Sequence, residues 1–138
     1  MGLIIDTNVL IRAERSRQFA DFRPWEEHGD VFISAITCSE LLVGVHKADT
    51  PERRIKRAAF VESLLEVFPV LVFDKDVARV HAQLMAALPK AVTVGAHDLI
   101  IGASAIKHGF PVLTANVNDF SRMPGLNVLQ FQADEQKP

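Results

Sequence analysis

The stretch "GLIIDTNVLI" (residues 2–11) sets a carboxylate, Asp6, directly at the end of an apolar run. Leu3, Ile4 and Ile5 show no polar alternation, which is the pattern of a parallel strand covered on both faces. The next residues are helical in character: Asp6, Thr7 and Asn8 are all competent N-caps, and "DTNVLIRAER" continues to residue 15. An acid at such a strand–helix junction is either a cap or part of a site. The rest of the chain decides which.

Beyond this stretch, strand-like and helix-like segments alternate. A short helix is expected over about 17–27 and a strand over "VFISA" (31–35). Cys38, Leu41, Leu42 and Val45 form one apolar helical stripe. Thr50-Pro51-Glu52 is a helix start with Pro at the first helical position, and that helix carries Val61, Leu64, Leu65 and Phe68. "VLVF" (70–73) reads as a short strand, after which Asp74 or Asp76 caps a helix with the stripe Val77, Val80, His81, Leu84 and Leu88. "AHDLIIGASAIKHG" (96–109) ends at Gly109, where a left-handed residue is expected, and Pro111 blocks continuation. Strands "VLTA" (112–115) and "NVLQF" (127–131) flank a short helix begun by "NVNDF". The succession predicts an α/β domain with a parallel sheet and right-handed crossovers.

A chain of 138 residues is long enough to bury a sizeable core, and no repeat or linker divides it. The tail "ADEQKP" (133–138) has the composition of a disordered end. A net charge of −2 gives no global footprint for nucleic acid, so such a function would need a local basic surface and metal ions. Nine of the fifteen basic residues do fall in the first 57, including "RRIKR" (53–57), although a run of this kind is ordinarily a solvated helix face. The single cysteine, Cys38, excludes an internal disulfide and any multi-thiolate metal site. With no basic leader and no apolar run of membrane-spanning length, the expected setting is soluble and reducing, hence cytoplasmic.

The acids fall at chosen places. Asp6 ends the first strand, Glu40 lies in the first turns of the helix after the second, Asp98 opens its helix, and Asn116 and Asp119 come after "VLTA". In an open parallel sheet, ligands gather at the carboxyl ends of strands, where strand order reverses. Converging carboxylates repel and need a cation to stay ionised; all-oxygen donors suit Mg²⁺ or Mn²⁺ rather than Zn²⁺. Each acid also has a plainer reading. Thr37-x-x-Glu40 matches a capping box, Asn116-x-x-Asp119 is a looser version of one, and Asp6 and Asp98 suit a helix N-terminus. Spacing leaves capping and metal binding as equal readings.

The histidines (28, 46, 81, 97, 108) form no HExxH motif; His81 reads as a core or boundary residue, and His97 abuts Asp98. There is no Walker A, G-x-G-x-x-G or G-x-S-x-G. Trp25 is the only Trp and Tyr is absent, so no aromatic platform for stacking bases is evident.

Four blocks in order, "LIIDTNVLI", "ISAITCSELLVGV" (33–45), "AHDLIIGASAIKHG" and "VLTANVNDFSRMPGLNV" (112–128), resemble PIN domains, and more narrowly the VapC toxins of bacterial toxin–antitoxin pairs. The resemblance implies a PIN domain over residues 1–131, with 132–138 as a tail. It also implies a three-layer α/β/α sandwich around a mostly parallel sheet of four or five strands. It implies a Mg²⁺-dependent endoribonuclease, with Mn²⁺ as a substitute, that leaves a 5′-phosphate and a 3′-hydroxyl. Asp6, Glu40 and Asp98 then correspond to the family's first three acids and metal ligands, and Thr7 and Asn8 to the motif supporting the first. The fourth position is divided between Asn116 and Asp119. A VapB-type antitoxin and a homodimer, forming a heterotetramer or larger with the antitoxin, are implied as well. Arg12, Arg15 and Arg17 and the Arg-rich segment 53–57, with Arg53, Arg54 and Arg57, are the candidates for RNA-backbone contacts. Two rivals stand beside this reading. One is a PIN fold that binds RNA or protein without cutting. The other is a phosphotransfer protein, for which a receiver would want a second acid beside Asp6 and a dehalogenase-type phosphatase would want an acid at Asn8.

Overall fold

The computed structural model describes residues 1–15 and 27–131. The helix expected over 17–27, with Arg17 and Trp25, and the tail from 132 lie outside the described residues.

The opening strand β1 (Gly2–Ile5) is buried throughout and leads through Asp6 into α1 (Thr7–Arg15). Then come β2 (Asp30–Ser34), α2 (Ala35–His46), α3 (Pro51–Val67), β3 (Val70–Leu71), α4 (Lys75–Ala87), α5 (Ala96–His108), β4 (Val112–Thr114), α6 (Val117–Ser121) and β5 (Val128–Gln130). The five strands form one sheet in the order β3-β2-β1-β4-β5, and every pairing is parallel. The chain therefore builds outward from β1 in one direction, then returns to the other side of β1 for β4. That reversal puts the topological switch point at the carboxyl ends of β1 and β4.

Side chains alternating along β1 feed two cores. Leu3 and Ile5 join Val9, Leu10, Ile33, Leu41, Val45, Val61 and Leu64 under α1, α2 and α3. Ile4 joins Val77, Leu84, Leu99, Ile101, Val112 and Phe120 under α4 and α5. Helices on both faces of the sheet make three layers, as the PIN resemblance implies.

The helix starts are set by local chemistry. Thr50 caps α3 by accepting from Arg53 N, with Pro51 at the first turn, and Asp74 rather than Asp76 caps α4 by accepting from Val77 N at 2.9 Å. Gly109 closes α5 with φ 73°, the left-handed turn a Cβ would disfavour. "VLVF" pairs only through Val70 and Leu71, because its partner β2 ends at Ser34, opposite Leu71, and leaves Val72 and Phe73 without a ladder. His81 sits at the boundary, its ring edge-on to Phe73 with centroids 5.7 Å apart. Among the described residues no helix is long and apolar enough to cross a membrane.

Among the described residues one polar atom in the core is orphaned: Ser104 Oγ, on the buried face of α5, has no hydrogen-bond partner. An unmade buried hydrogen bond costs about 1–3 kcal/mol, and Ala is the best helix former. Ser104→Ala is therefore expected to stabilise the protein by about 1 kcal/mol, read as a higher urea midpoint at unchanged m-value.

Candidate active site

Asp6 is the centre. It is only 2% exposed, and its backbone N–H continues the β1–β4 pairing by donating to Leu113 O at 2.9 Å. Its carboxylate Oδ2 accepts from the Thr114 hydroxyl at 2.8 Å, a buried contact between residues 108 apart in sequence. Burial pushes the Asp6 carboxyl above its ordinary value; Thr114 and the Thr7 and Asn8 amides pull it back, and Glu40 adds repulsion. Capping and site membership are thus combined in one residue, because the α1 amides that favour its charge belong to the helix it begins.

Glu40 projects toward the same region from α2. Its Oε1 lies 2.8 Å from Thr7 Oγ1, which is also 3.0 Å from Thr37 Oγ1. A hydroxyl has one proton and a carboxylate only accepts, so Thr7 donates to Glu40 and Thr37 donates to Thr7. On its other side, Glu40 Oε2 stands 3.2 Å from His97 Nδ1. The Thr37-x-x-Glu40 capping box is not formed: α2 begins earlier, with Ser34 as N-cap accepting from Ile36 N at 3.2 Å. Thr37 is the third residue of the helix, in its first turn, and fully buried, its hydroxyl turned to Thr7.

Asp98 sits in the first turn of α5, behind an N-cap glycine, Gly95, that has no side chain to bond the helix amides. Its carboxyl is pushed up to about 6, first by burial and then by Asp6, Asp119 and Glu40, with His97 opposing. Four acids from widely separated parts of the chain therefore share one electrostatic neighbourhood. Asn116 and Asp119 act as a unit. Asn116 Nδ2 donates to Asp119 Oδ2 at 2.9 Å, while the Asn116 backbone N–H donates to Thr114 Oγ1 at 2.8 Å. The looser capping reading also fails, since Asn116 precedes α6 without bonding its amides through the side chain. Asp119 Oδ1 lies 4.0 Å from Arg122.

Among the described residues no three His, Cys, Asp or Glu side chains are drawn together as a ready metal cage. Acids that repel one another, as these do, are what fits the site to a cation. The groups that set the charge of Asp6 and Asp98 are burial, hydroxyl and amide donors, other acids and His97, and every candidate donor to a cation is a hard oxygen.

Asp6, Asp119 and Glu40 all lie within electrostatic reach of Asp98, and Asn116 is tied to Asp119. Thr7 supports the second acid through its hydroxyl and the first through its amide. Asn8 is exposed and, with Ile11, Arg12, Arg15, Ala115 and Asn116, lines a recess of about 370 Å³. A second recess, about 160 Å³, is bordered by Glu14, Arg15, Glu40, Arg57 and Phe60 among others. Arg53 and Arg54 line neither: Arg53 pairs with Asp49 at 2.8 Å and Arg54 donates to Ala48 O, both at the corner between α2 and α3. Sequence reasoning missed Thr114 and read Thr37 only as a cap. A polar residue closing the apolar strand "VLTA" was the available signal for the first, and nothing local marks the role of the second.

Residues 3–126 match the family model for the PIN domain. The chain is 41% identical to Ribonuclease VapC1 of Rickettsia felis over 136 residues, 98% of this chain and 100% of that protein. Its fold matches the crystal structure of DNA-bound VapBC from Salmonella typhimurium with a TM-score of 0.81 at 30% identity, covering 94% of this chain and 98% of that one. It also matches VapBC-5 of Mycobacterium tuberculosis, a member of the VapBC family of toxin-antitoxin systems, with a TM-score of 0.71 at 29% identity over 96% and 98% of the two chains. The chain belongs to the PIN-domain family, within its VapC ribonuclease branch.

The charges lead to two expected outcomes. Thr114→Val keeps the shape but removes the side-chain hydrogen bond that buried Asp6 accepts, and it is expected to cost about 2 kcal/mol in urea unfolding. For Asp98, a folded value near 6 lies above its ordinary 3.8, so the native state binds more protons between these values and stability falls as pH rises through them. In EDTA, Asp98→Asn is accordingly expected to be more stable than the parent above about pH 6, with the gap closing as pH falls toward about 4. Paired urea titrations across that range read the difference directly.

Proposed function

We propose that this chain is the toxin of a VapBC-type pair, a Mg²⁺-dependent cytoplasmic endoribonuclease formed by a PIN domain over residues 1–131. A VapB-type antitoxin restrains it, and the chain pairs as a homodimer that forms a heterotetramer or larger with the antitoxin. The observation that carries the reading is the electrostatic convergence on Asp98 of Asp6, Asp119 and Glu40 at the switch point of a VapC-like fold.

Asp6, Asp98 and Glu40 would hold Mg²⁺, or Mn²⁺ in its place. When bound, the ion supplies positive charge to the scissile phosphate and makes water a better nucleophile at neutral pH. The chain's own groups do the positioning. Thr114 keeps Asp6 oriented and charged. Glu40, which among the described residues has one polar contact at each oxygen, orients the attacking water. Asn116 adds no charge but holds Asp119 beside the cleft, so the fourth position is a neutral amide and an acid working together. Hydrolysis in this arrangement breaks the P–O3′ bond and leaves a 5′-phosphate and a 3′-hydroxyl.

The test is cleavage of labelled total RNA by antitoxin-free protein with Mg²⁺, with Mn²⁺ and with EDTA. Discrete cuts are expected with either metal and none in EDTA. Asp98→Asn is expected to slow cutting at least about 100-fold, equivalent to ~2.7 kcal/mol of transition-state stabilisation. Parent protein that cuts none of the RNA classes with either metal would reject the nuclease.

A further inference from the structure

A cleft of four acids repels the substrate it is meant to receive, so positive charge is needed beside it. On α1, Asn8, Ile11, Arg12 and Arg15 stand at i, i+3, i+4 and i+7, one stripe of the helix. With Ala115 and Asn116 they line the recess of about 370 Å³. We propose that this recess binds the nucleotide of a single-stranded RNA that adjoins the scissile phosphate, with Arg12 and Arg15 taking its phosphate. The proposal rests on the ribonuclease reading above and deepens it.

The chemistry of the lining selects the ligand. Among the described residues it offers two guanidinium groups, two carboxamides and no carboxylate. Guanidinium forks match phosphate oxygens, and their charge does not depend on pH. Asn116 gives one Nδ2 N–H to Asp119 and its backbone N–H to Thr114, and its side chain also carries the acceptor Oδ1. An acceptor in an otherwise basic recess suits a neutral donor such as a ribose 2′-hydroxyl, the group that separates RNA from DNA. The volume is at the small end of ligand sites, the scale of one nucleotide rather than a duplex.

Position ties the recess to the acids. Asn116 contacts Thr114, and the same Thr114 oxygen bonds Asp6, so one wall of the recess is two hydrogen bonds from the buried acid. The other basic candidates among the described residues stand elsewhere: Arg53 and Arg54 at the corner between α2 and α3, and Arg57 at the second recess.

The experiment measures binding without cutting. A fluorescein-labelled single-stranded RNA of about 12 nucleotides is titrated in EDTA, by anisotropy, between about 50 and 200 mM KCl. Each phosphate contact on a single strand contributes about 0.7 to the slope of log K against log salt. Arg12→Ala and Arg15→Ala are each expected to reduce the slope by about 0.7, and the double variant by about 1.4, with affinity at about 100 mM salt at least ~10-fold lower. Asn116→Ala is expected to narrow the preference for RNA over DNA of the same sequence, with thermal unfolding confirming an intact fold. Arg53→Ala, the control, is expected to keep the parent slope. A double variant with the parent's slope, an equal loss in Arg53→Ala, or a parent that does not bind would each overturn the proposal. A parent that binds through Arg12 and Arg15 but never cuts supports the recess as an RNA site and removes only the cleavage reading.

Discussion

Everything in this molecule is arranged around a carboxylate kept out of water. Asp6 stands where the central strand ends, almost fully buried, with its charge supported by one threonine hydroxyl and the first amides of α1. A buried acid without such support would take up a proton, since desolvation penalises the charged form. The parallel sheet supplies the support. Because β4 lies beside β1, the residue after Leu113 necessarily comes level with the residue after Ile5, and that residue is Thr114. Placement of the acid and of its hydrogen-bond donor is one consequence of one register.

The remaining acids are held in a similar way, by short polar side chains that reach across element boundaries. Thr37 on α2 bonds Thr7 on α1, which bonds Glu40 back on α2, while His97 on α5 closes the other side of Glu40. Asn116 links the end of β4 to Asp119 on α6. Groups that repel one another are thus anchored individually to a rigid sheet and its helices. That anchoring fixes where each acid stands on the framework. The polarity of the surroundings is also divided: acids at the switch point, guanidinium groups along the α1 stripe next to it. A chain of net charge −2 can in this way present a local basic surface to a polyanion.

Much of this was legible in the sequence. The unbroken apolar run 3–5, the alternation of strand and helix patterns, and the cap chemistry at Thr50, Asp74 and Gly109 all report local preferences, and local preferences survive in the fold. The candidate acids were legible too: Asp6, Glu40 and Asp119 come after strands, and Asp98 opens a helix, although that helix follows α4 and not a strand. Their roles were not. Thr37-x-x-Glu40 satisfies the capping-box pattern as a string, but the helix starts at Ala35, and no local signal says which of two competent caps, Ser34 or Thr37, is used. The arginines look equally basic in sequence, yet among the described residues only Arg12 and Arg15 share a recess with Asn116.

The class of fold, the order of its elements and the set of acids available for chemistry were written in the chain itself, because they depend on hydrophobic periodicity and on residue type at strand ends. Which of those acids meet, and what holds them, was settled by packing alone. Asp6 finds Thr114 at a separation of 108 positions, and Asp98 feels Asp6, Asp119 and Glu40, only because the strand order reverses beside β1. Charge repulsion and hydrogen bonding act through space, and distance along the chain says nothing about distance across a sheet.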